Sequence, residues 1–456
     1  MNKLPLLLIA TLPSLANAQL SDERIAELRD QALAEDEIAW DIAEGLSTEV
    51  GQRMAGTEAE ARGRAWAVEH LREYGFSNPR IETYQMPTWV RGEEHARIVS
   101  PFPQSFHVTA LGRSAATPRE GITAEVVGFD SVAALQAAEP GSLDDRIAYV
   151  THHMERTQDG SGYGFAGPVR WIAPSLAAER GAIGIVIRSV GTDDHRNPHT
   201  GGTNWADGVE PIPAGALSNP DADNLDRMLS TGETITMNLV LTPRDLGQQE
   251  SGNVLAEVPG SDPDAGMVVV ACHLDSWDLG TGAIDDASGC GIVTAAAHRF
   301  LERGMRPRRS IRLLWAGAEE VGLFGARAYF EAHRQEFHAL AAESDFGADR
   351  VWRVEFDLPD GAEEDAARLT QLLAPLGIPR GSSPAAGGAD ISPLVADGTW
   401  VIDLQQDGTR YFDLHHTPDD TLDKVDPVQL RQNVAAWVTM LAVMANSDAD
   451  FTPPAR

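Results

Sequence analysis

The second half of the sequence alternates between short apolar runs and longer amphipathic segments. Met267–Ala271 and Ser310–Trp315 have the composition of buried strands, whereas Ser288–Arg303 and Gly322–His333 have the apolar spacing of helices. Strands that alternate with helices usually pair in parallel, and the helices cover the two faces of the sheet. The sequence therefore predicts an α/β fold with a mostly parallel mixed sheet and helices on both faces.

The pattern changes between residues 118 and 245, which we predict to form an inserted α+β domain. Strand-like runs such as Ile147–Thr151 and Thr236–Leu241 mix there with one helical stretch, Pro168–Arg180. Pro174 is expected to kink or restart that helix, because proline lacks the backbone donor that a helix interior needs.

The first 18 residues have the features of a secretory signal peptide. Lys3 supplies a positive charge, Leu4–Leu12 is apolar, and Ala16-Asn17-Ala18 has the form of a cleavage site. We therefore expect an exported protein, periplasmic or extracellular, and no later run approaches the ~20 apolar residues of a membrane span. The remaining segments are assigned to one α/β domain over 19–117 and 246–448 and to a C-terminal tail over 449–456, which is expected to be frayed.

The chain is strongly acidic. Lys and Arg number 36 and Asp and Glu number 68, which gives a formal net charge of −32. Such a chain is repelled by the phosphates of nucleic acids and by anionic lipid surfaces, so neither is an expected partner. Most of the carboxylates are expected on the solvated surface. Some, however, follow the predicted strands, and solvation of the surface does not account for those positions.

Acidic and histidine residues follow the predicted strands. Ligands of open α/β sheets bind outside the carboxyl ends of the strands, so these side chains are expected to converge in one crevice. Carboxylates packed together repel one another unless cations neutralise them, and carboxylates with histidines suit Zn²⁺. The number of such groups exceeds what one catalytic zinc needs and predicts two zinc ions per chain. The candidate ligands are His273, Asp285, Glu320, Asp345 and His416.

Taken together, these motifs resemble the di-zinc exopeptidase superfamily, which includes bacterial zinc aminopeptidases and glutamate carboxypeptidases. The likeness is greatest to the plasma glutamate carboxypeptidases, and it extends over nearly the whole mature chain. The insertion resembles a protease-associated domain. The resemblance implies the zinc exopeptidase fold, the hydrolysis of dipeptides or short peptides, and assembly into a homodimer. The matching segments are 273–278, 282–286, 318–320, 343–345 and 415–416, with 187–190 and 198–201 in the insertion.

The resemblance also implies a role for each residue. His273 would bind one zinc, Asp275 would orient His273, Asp285 would bridge the two zincs, Glu319 would be the general base, and Glu320, Asp345 and His416 would be the other ligands.

Spacing leaves some of these roles open. Asp286 is the alternative bridge, although it equally suits a carboxylate at a helix N-terminus. His415 is the alternative to His416, and the roles of Glu319 and Glu320 are interchangeable by spacing alone. Glu343 is expected to be structural.

Four residues have a substrate-contact interpretation, and Asp390, His199 and Arg188 also have a structural one. His415 is expected to face the substrate if His416 is the ligand. Asp390 would contact substrate or cap the following helix, and His199 would act as a lid residue or only decorate a loop. Arg188 would bind a substrate carboxylate or form a surface ion pair.

The two cysteines, Cys272 and Cys290, exclude a disulfide scaffold and are expected to be buried thiols, with a single disulfide between them as the alternative. The metal motifs are common to carboxypeptidases and aminopeptidases and therefore do not decide which end of a peptide is recognised. Glutaminyl cyclases and catalytically silent binding proteins have the same scaffold. A silent protein would lack a ligand or the base, and this chain retains them all.

Overall fold

The structure is a computed structural model that describes residues 20–453. The predicted signal peptide lies outside the described residues. The helices are α1 (Asp22–Glu35), α2 (Ile38–Gly45), α3 (Glu58–Glu73), α4 (Val132–Gln136), α5 (Ser161–Ala166), α6 (Pro168–Trp171), α7 (Ala173–Glu179), α8 (Asn219–Leu229), α9 (Ser288–Glu302), α10 (Phe324–His333), α11 (Glu363–Leu373), α12 (Ser392–Ala396), α13 (Tyr411–Leu414) and α14 (Pro427–Met444).

The strands assemble into two sheets. They are β1 (Ser77–Val90), β2 (Glu94–Ser100), β3 (Gln104–Phe106), β4 (Val108–Ala110), β5 (Ile122–Phe129), β6 (Ile147–Val150), β7 (Gly184–Arg188), β8 (Ala214–Leu217), β9 (Thr236–Leu241), β10 (Arg244–Val258), β11 (Met267–His273), β12 (Ser310–Ala316), β13 (His338–Glu343), β14 (Val351–Asp357) and β15 (Trp400–Gln406).

The first sheet has the strand order β1-β10-β12-β11-β13-β15-β14. Its four central strands, β12, β11, β13 and β15, run parallel, and antiparallel strands flank them. Residues of α1, α2, α9, α11 and α14 pack on one face, and residues of α10 and α12 pack on the other. The mixed α/β prediction, with helices on both faces, is confirmed.

Small residues bring α9 close to its neighbours. A Cβ atom on Gly291 would lie 2.4 Å from the backbone oxygen of Ala39, so only glycine lets α2 and α9 approach this closely. Asp426 caps the long helix α14 by accepting from the backbone N–H of Val428 at 2.8 Å, and α14 then buries an almost continuous apolar surface, mainly against α1 and α9.

The second sheet has the order β3-β2-β9-β5-β6-β7-β8-β4, and β5, β6, β7 and β8 run parallel within it. It begins at Glu94, before the boundary predicted at residue 118. The cause is the long ribbon of β1 and β10, in which Val90 pairs with Arg244, so that the chain enters and leaves the second sheet side by side. The helical stretch around Pro174 is broken into α6 and α7 at Ile172, as expected.

Two expectations are wrong. Cys272 and Cys290 form a disulfide that joins the end of β11 to the start of α9. The segment after Asp448 is not frayed where it is described, because Phe451 is buried beneath the guanidinium of Arg309. Within residues 20–453, no helix is both long enough and apolar enough to cross a membrane.

Candidate metal centre and active-site cavity

The carboxyl ends of three neighbouring parallel strands carry the predicted site. His273 is the last residue of β11, Glu319 and Glu320 follow β12, and Asp345 follows β13. Because these strands lie side by side in the sheet, their ends meet at one edge. The remaining residues arrive from the turn before α9 and from the segment after α13.

Asp285 lies at the centre of the cluster. Its Oδ1 atom is 2.9 Å from Nε2 of His273, and its Oδ2 atom is 3.4 Å from Nε2 of His416. On the first side, Oδ1 of Asp345 is 3.4 Å from Nε2 of His273. On the second side, Oε2 of Glu320 is 2.9 Å from Nε2 of His416. The structure thus brings the five predicted ligands together in two groups that share Asp285.

The electrostatics of the cluster are those of a cation site. Oδ2 of Asp285 and Oε1 of Glu320 are buried without a hydrogen-bond partner from residues 20–453. Burial and then the nearby charge of Asp285 raise the pKa of Glu320 well above its usual range. Buried carboxylates with unsatisfied oxygens are costly unless a cation compensates them. Together with two imidazole nitrogens, this donor set fits zinc.

Asp286 has a different environment from Asp285. Its carboxylate accepts from the backbone N–H of His273 and from that of Gly289, both at 3.1 Å. These bonds connect the end of β11 to the first turn of α9. Asp286 therefore has the structural contacts of a carboxylate near a helix N-terminus, and Asp285 has the central position.

The two adjacent histidines stack, with ring centroids 3.5 Å apart. His416 points its Nε2 atom at Glu320, whereas Nε2 of His415 lies 3.7 Å from Oδ2 of Asp285. Both rings line the cavity described below. The geometry favours His416 as the ligand and leaves His415 beside it.

A hydrogen bond joins the side chain of Asp275 to the backbone of Glu319. Oδ1 of Asp275 accepts from the backbone N–H of Glu319 at 3.0 Å. The backbone oxygen of Asp275 is 2.9 Å from Nδ1 of His273, while its carboxylate Oδ1 is 3.8 Å away. Asp275 therefore orients His273 mainly through its carbonyl group and positions the Glu319 loop with its side chain. Burial raises the pKa of Glu319 well above its usual range.

Asp390 and His199 lie outside the cavity wall. Neither carboxylate oxygen of Asp390 has a hydrogen-bond partner in the described part of the chain, so Asp390 does not cap α12. The Nδ1 atom of His199 is 2.7 Å from the backbone oxygen of His415, and its Nε2 atom is 2.5 Å from Asp193. His199 is buried, and its contact with the backbone oxygen of His415 helps to position that residue.

Arg188 and Glu343 also have structural contacts. Arg188 is buried and forms ion pairs with Asp223 at 2.7 Å and Asp226 at 2.8 Å, away from the site. Oε2 of Glu343 accepts from the backbone N–H of Ile391 at 3.0 Å, which agrees with the structural role expected of Glu343.

A cavity of about 430 Å³ opens over the cluster, between the first sheet and elements that belong to the second. Its floor includes Glu319, Glu320 and Asp345. The residues that the sequence did not indicate are mostly those contributed from the second-sheet side. They include Arg113, Tyr163, Arg170, Trp171 and Asn204.

Arg170 is the buried cation behind His416. Its Nη1 group is 3.2 Å from both the backbone oxygen of Thr200 and Nδ1 of His416, and its Nη2 group donates to the hydroxyl of Tyr163. No pattern along the chain marks Arg170, because it meets His416 only in the folded structure.

Asp420 and Arg53 hold the turn that carries Asp285. Asp420 accepts from the backbone N–H of Ile284 at 2.6 Å and from that of Asp285 at 3.3 Å. Arg53 is fully buried and donates to backbone oxygens of Leu274 and of the 281–282 segment. Burial, with a further contribution from Asp285, raises the pKa of Asp420 to about 7.

Comparison with known proteins shows relatives along nearly the whole chain. A sequence profile of peptidase family M28 matches residues 253–441. Carboxypeptidase Q from Bos taurus is 33% identical over 399 residues, which cover 87% of this chain and 83% of that protein. Carboxypeptidase Q from Mus musculus is 32% identical over 401 residues, which cover 88% and 84%.

Two solved structures have similar folds. A peptidase M28 precursor from Shewanella amazonensis SB2B is 44% identical, with a TM-score of 0.92, and the match covers 96% of this chain and 100% of that one. An aminopeptidase from Aneurinibacillus sp. strain AM-1 is 20% identical with a TM-score of 0.64 over 96% and 98% of the two chains, a likeness of fold. On the strength of the relatives above 30% identity, the chain belongs to peptidase family M28 and is a metallopeptidase.

Proposed function

We propose that this chain is a di-zinc exopeptidase that hydrolyses dipeptides or short peptides as a carboxypeptidase or dipeptidase. The observation that carries the proposal is the position of Asp285, with one carboxylate oxygen facing His273 and the other facing His416. A bridging carboxylate between two nitrogen ligands is the arrangement that two adjacent metal ions require. The name of the carboxypeptidase Q relatives supports the carboxypeptidase assignment.

Two ligand sets follow from the distances. His273, Asp285 and Asp345 would hold one zinc, and Asp285, Glu320 and His416 would hold the other. Each set contains one imidazole and two carboxylates, which suits a catalytic zinc with an open position. When bound, two zinc ions polarise the scissile carbonyl and lower the pKa of the attacking water.

Glu319 would act as general base and then as general acid. It lines the cavity next to the ligand Glu320, and its carboxylate would accept a proton from the attacking water. The same carboxyl group would then deliver that proton to the nitrogen of the leaving amine. Asp275 would contribute by fixing the backbone of Glu319 through the 3.0 Å hydrogen bond.

The experiment that tests the base assignment compares Glu319→Gln with Glu320→Gln. Glu319→Gln should lower kcat on a free dipeptide by about 100- to 10,000-fold and leave the zinc content unchanged. Glu320→Gln should lower the zinc content as well as turnover. Normal activity in Glu319→Gln, or loss of zinc in that variant but not in Glu320→Gln, would remove the role proposed for Glu319.

The end of the peptide that is recognised requires its own assay. A carboxypeptidase or dipeptidase should cleave a free dipeptide and discriminate against its amide. An aminopeptidase, the alternative within the family, should accept the amide and reject an N-acetylated dipeptide. A glutaminyl cyclase or a catalytically silent protein, the alternatives outside peptide hydrolysis, would cleave none of the three.

Export and homodimer formation are also part of the proposal. The sequence of residues 1–18 supports export, and the family resemblance supports a homodimer. Cell fractionation together with N-terminal sequencing of the mature protein tests the first. Light scattering on the purified protein tests the second.

A further inference from the structure

We propose that Arg113 binds the α-carboxylate of the peptide substrate and so directs recognition to the carboxyl end. The inference rests on the proposed peptidase function and adds to it the residue that decides specificity. Arg113 comes from the loop after β4 and lines the same cavity as Glu319, Glu320 and Asp345, which follow the strand ends of the first sheet.

The position of Arg113 relative to the cluster is set by a close contact. Its Nη2 group donates to the backbone oxygen of Val321, the residue that directly follows Glu320. A Cβ atom on Gly322 would lie only 2.6 Å from Nη2, and the backbone of Gly322 has φ +126°, a conformation that favours glycine. Trp205 donates from Nε1 to the backbone oxygen of Arg113 at 2.9 Å and holds its backbone in place.

Arg113 lacks an anionic partner among the residues that the structure describes. It forms no ion pair with any carboxylate in residues 20–453, although the chain as a whole carries a net charge of −32. Burial, and then repulsion by Arg327, lower the pKa of the Arg113 guanidinium. Arg327 itself does not line the cavity and donates to the backbone oxygen of Gly322. A half-buried guanidinium in this setting would be stabilised by an anion that enters the cavity.

Arg170, the other arginine in the cavity wall, is less suited to this role. Its Nη1 and Nη2 groups already bond to Thr200, His416 and Tyr163, and the side chain is only 3% exposed. Arg113 is half-buried, and only the Nη2 nitrogen of its guanidinium group bonds to Val321. The other N–H groups of the planar guanidinium therefore remain for a ligand. The geometry therefore separates a positioning arginine, Arg170, from a ligand-binding one, Arg113.

The chemical class of that ligand follows from the length of a peptide unit. A peptide bond attacked beside Glu319 and Glu320 has the next α-carboxylate only one residue away, a span of ~3.8 Å between successive Cα atoms. Arg113 is anchored on the residue that follows Glu320. An α-ammonium at the same place would meet a positive charge, which disfavours binding in the aminopeptidase orientation.

The experiment measures kcat and KM for alanyl-phenylalanine and for its C-terminal amide, in the zinc-loaded parent protein and in Arg113→Gln, Arg113→Lys and Arg327→Gln. The parent should prefer the free acid. Arg113→Gln should lower kcat/KM for the free acid by about 10- to 100-fold, mostly through KM, and leave the amide unaffected. Arg113→Lys should recover part of the loss, and Arg327→Gln should retain the parental preference.

The outcomes separate the inference from the proposed function. In one outcome the parent hydrolyses the free acid while Arg113→Gln keeps the parental preference for the acid over the amide. That result would overturn the role of Arg113 and leave the peptidase function standing. Equal cleavage of the free acid and the amide by the parent would also overturn the role of Arg113 without contradicting the peptidase function. A parent protein that cleaves neither substrate would overturn the proposed function and this inference with it. Retained cleavage of the amide by Arg113→Gln shows that this variant is folded.

Discussion

The Oδ1 atom of Asp285 lies 2.9 Å from Nε2 of His273, although 12 residues separate the two along the chain. His273 ends a buried strand, and Asp285 lies in the turn that starts the next helix. The parallel sheet fixes the first residue, and hydrogen bonds from the turn to Asp420 fix the second. The contact between them therefore depends on the fold as a whole, and it determines where the metal ions would sit.

Asp285→Asn should lose both metal ions, because the neutral amide offers one oxygen where the carboxylate offers two. We expect kcat/KM to fall at least about 100-fold. Asp286→Asn is the matched control, since Asp286 accepts backbone hydrogen bonds and should keep two zinc ions per chain. Elemental analysis of both purified variants measures this. Retention of metal by the Asp285 variant and loss by the Asp286 variant would assign the bridge to Asp286.

His416→Gln should reduce the zinc content from two to one per chain, because His416 Nε2 faces Glu320 at 2.9 Å. His415→Gln should keep both ions, since His415 lies 3.7 Å from Asp285 and would contact the substrate. We therefore expect His415→Gln to change KM with little change in metal affinity. Zinc titration against a chelating dye measures both affinities. The reverse pattern of metal loss would exchange the roles of the two histidines.

Asp420→Asn should weaken metal binding without removing a ligand. Asp420 uses its carboxylate oxygens to accept from the backbone N–H groups of Ile284 and Asp285. The amide would present an N–H₂ group to one of these donors, and the turn would move. By analogy with residues that orient metal ligands, we expect zinc affinity to fall about 10- to 100-fold. Activity measured across a zinc titration should recover at high zinc, and an unchanged titration curve would show that Asp420 is dispensable.

Glu60 should make folding stability depend on pH. Burial, only partly offset by Arg64, raises the pKa of Glu60 from 4.5 to about 7. Between these values the carboxyl ionises in the unfolded chain while the folded chain keeps its proton, so the free energy of unfolding falls as the pH rises. The contribution of this group is on the order of 3 kcal/mol.

Glu60→Gln cannot ionise and should therefore lose less stability over the same pH window. Urea unfolding at pH 5 and pH 8 measures the difference between parent and variant. Glu58→Gln, an exposed change in the same helix, is the control and should follow the parent. Parallel pH profiles for the parent and Glu60→Gln would contradict the assignment.

Local patterns in the sequence predicted the α/β sheet and the cluster of candidate ligands, because histidine or acidic residues stand at or just after the ends of β11, β12 and β13. The strand predicted over Met267–Ala271 is β11, and the helix predicted over Ser288–Arg303 is α9. The cavity wall was not predictable in this way. Arg113 and Arg170 reach the cluster only through the docking of the second sheet, which leaves no periodic signal along the chain.

The remaining errors have the same physical origin. The start of the second sheet depends on the pairing of Val90 with Arg244, which are distant in sequence. The disulfide depends on how closely α9 packs against β11, and spacing alone did not reveal that proximity. Asp390 preceded a helix and was a plausible cap, yet its side chain is buried without a hydrogen-bond partner.

The zinc content of the purified protein, measured by plasma mass spectrometry alongside its activity on a free dipeptide, tests the central claim most directly. We expect two zinc ions per chain, loss of activity when both are removed by chelation, and recovery when zinc is restored. One ion or none per chain in a fully active preparation would contradict a di-zinc centre built on Asp285.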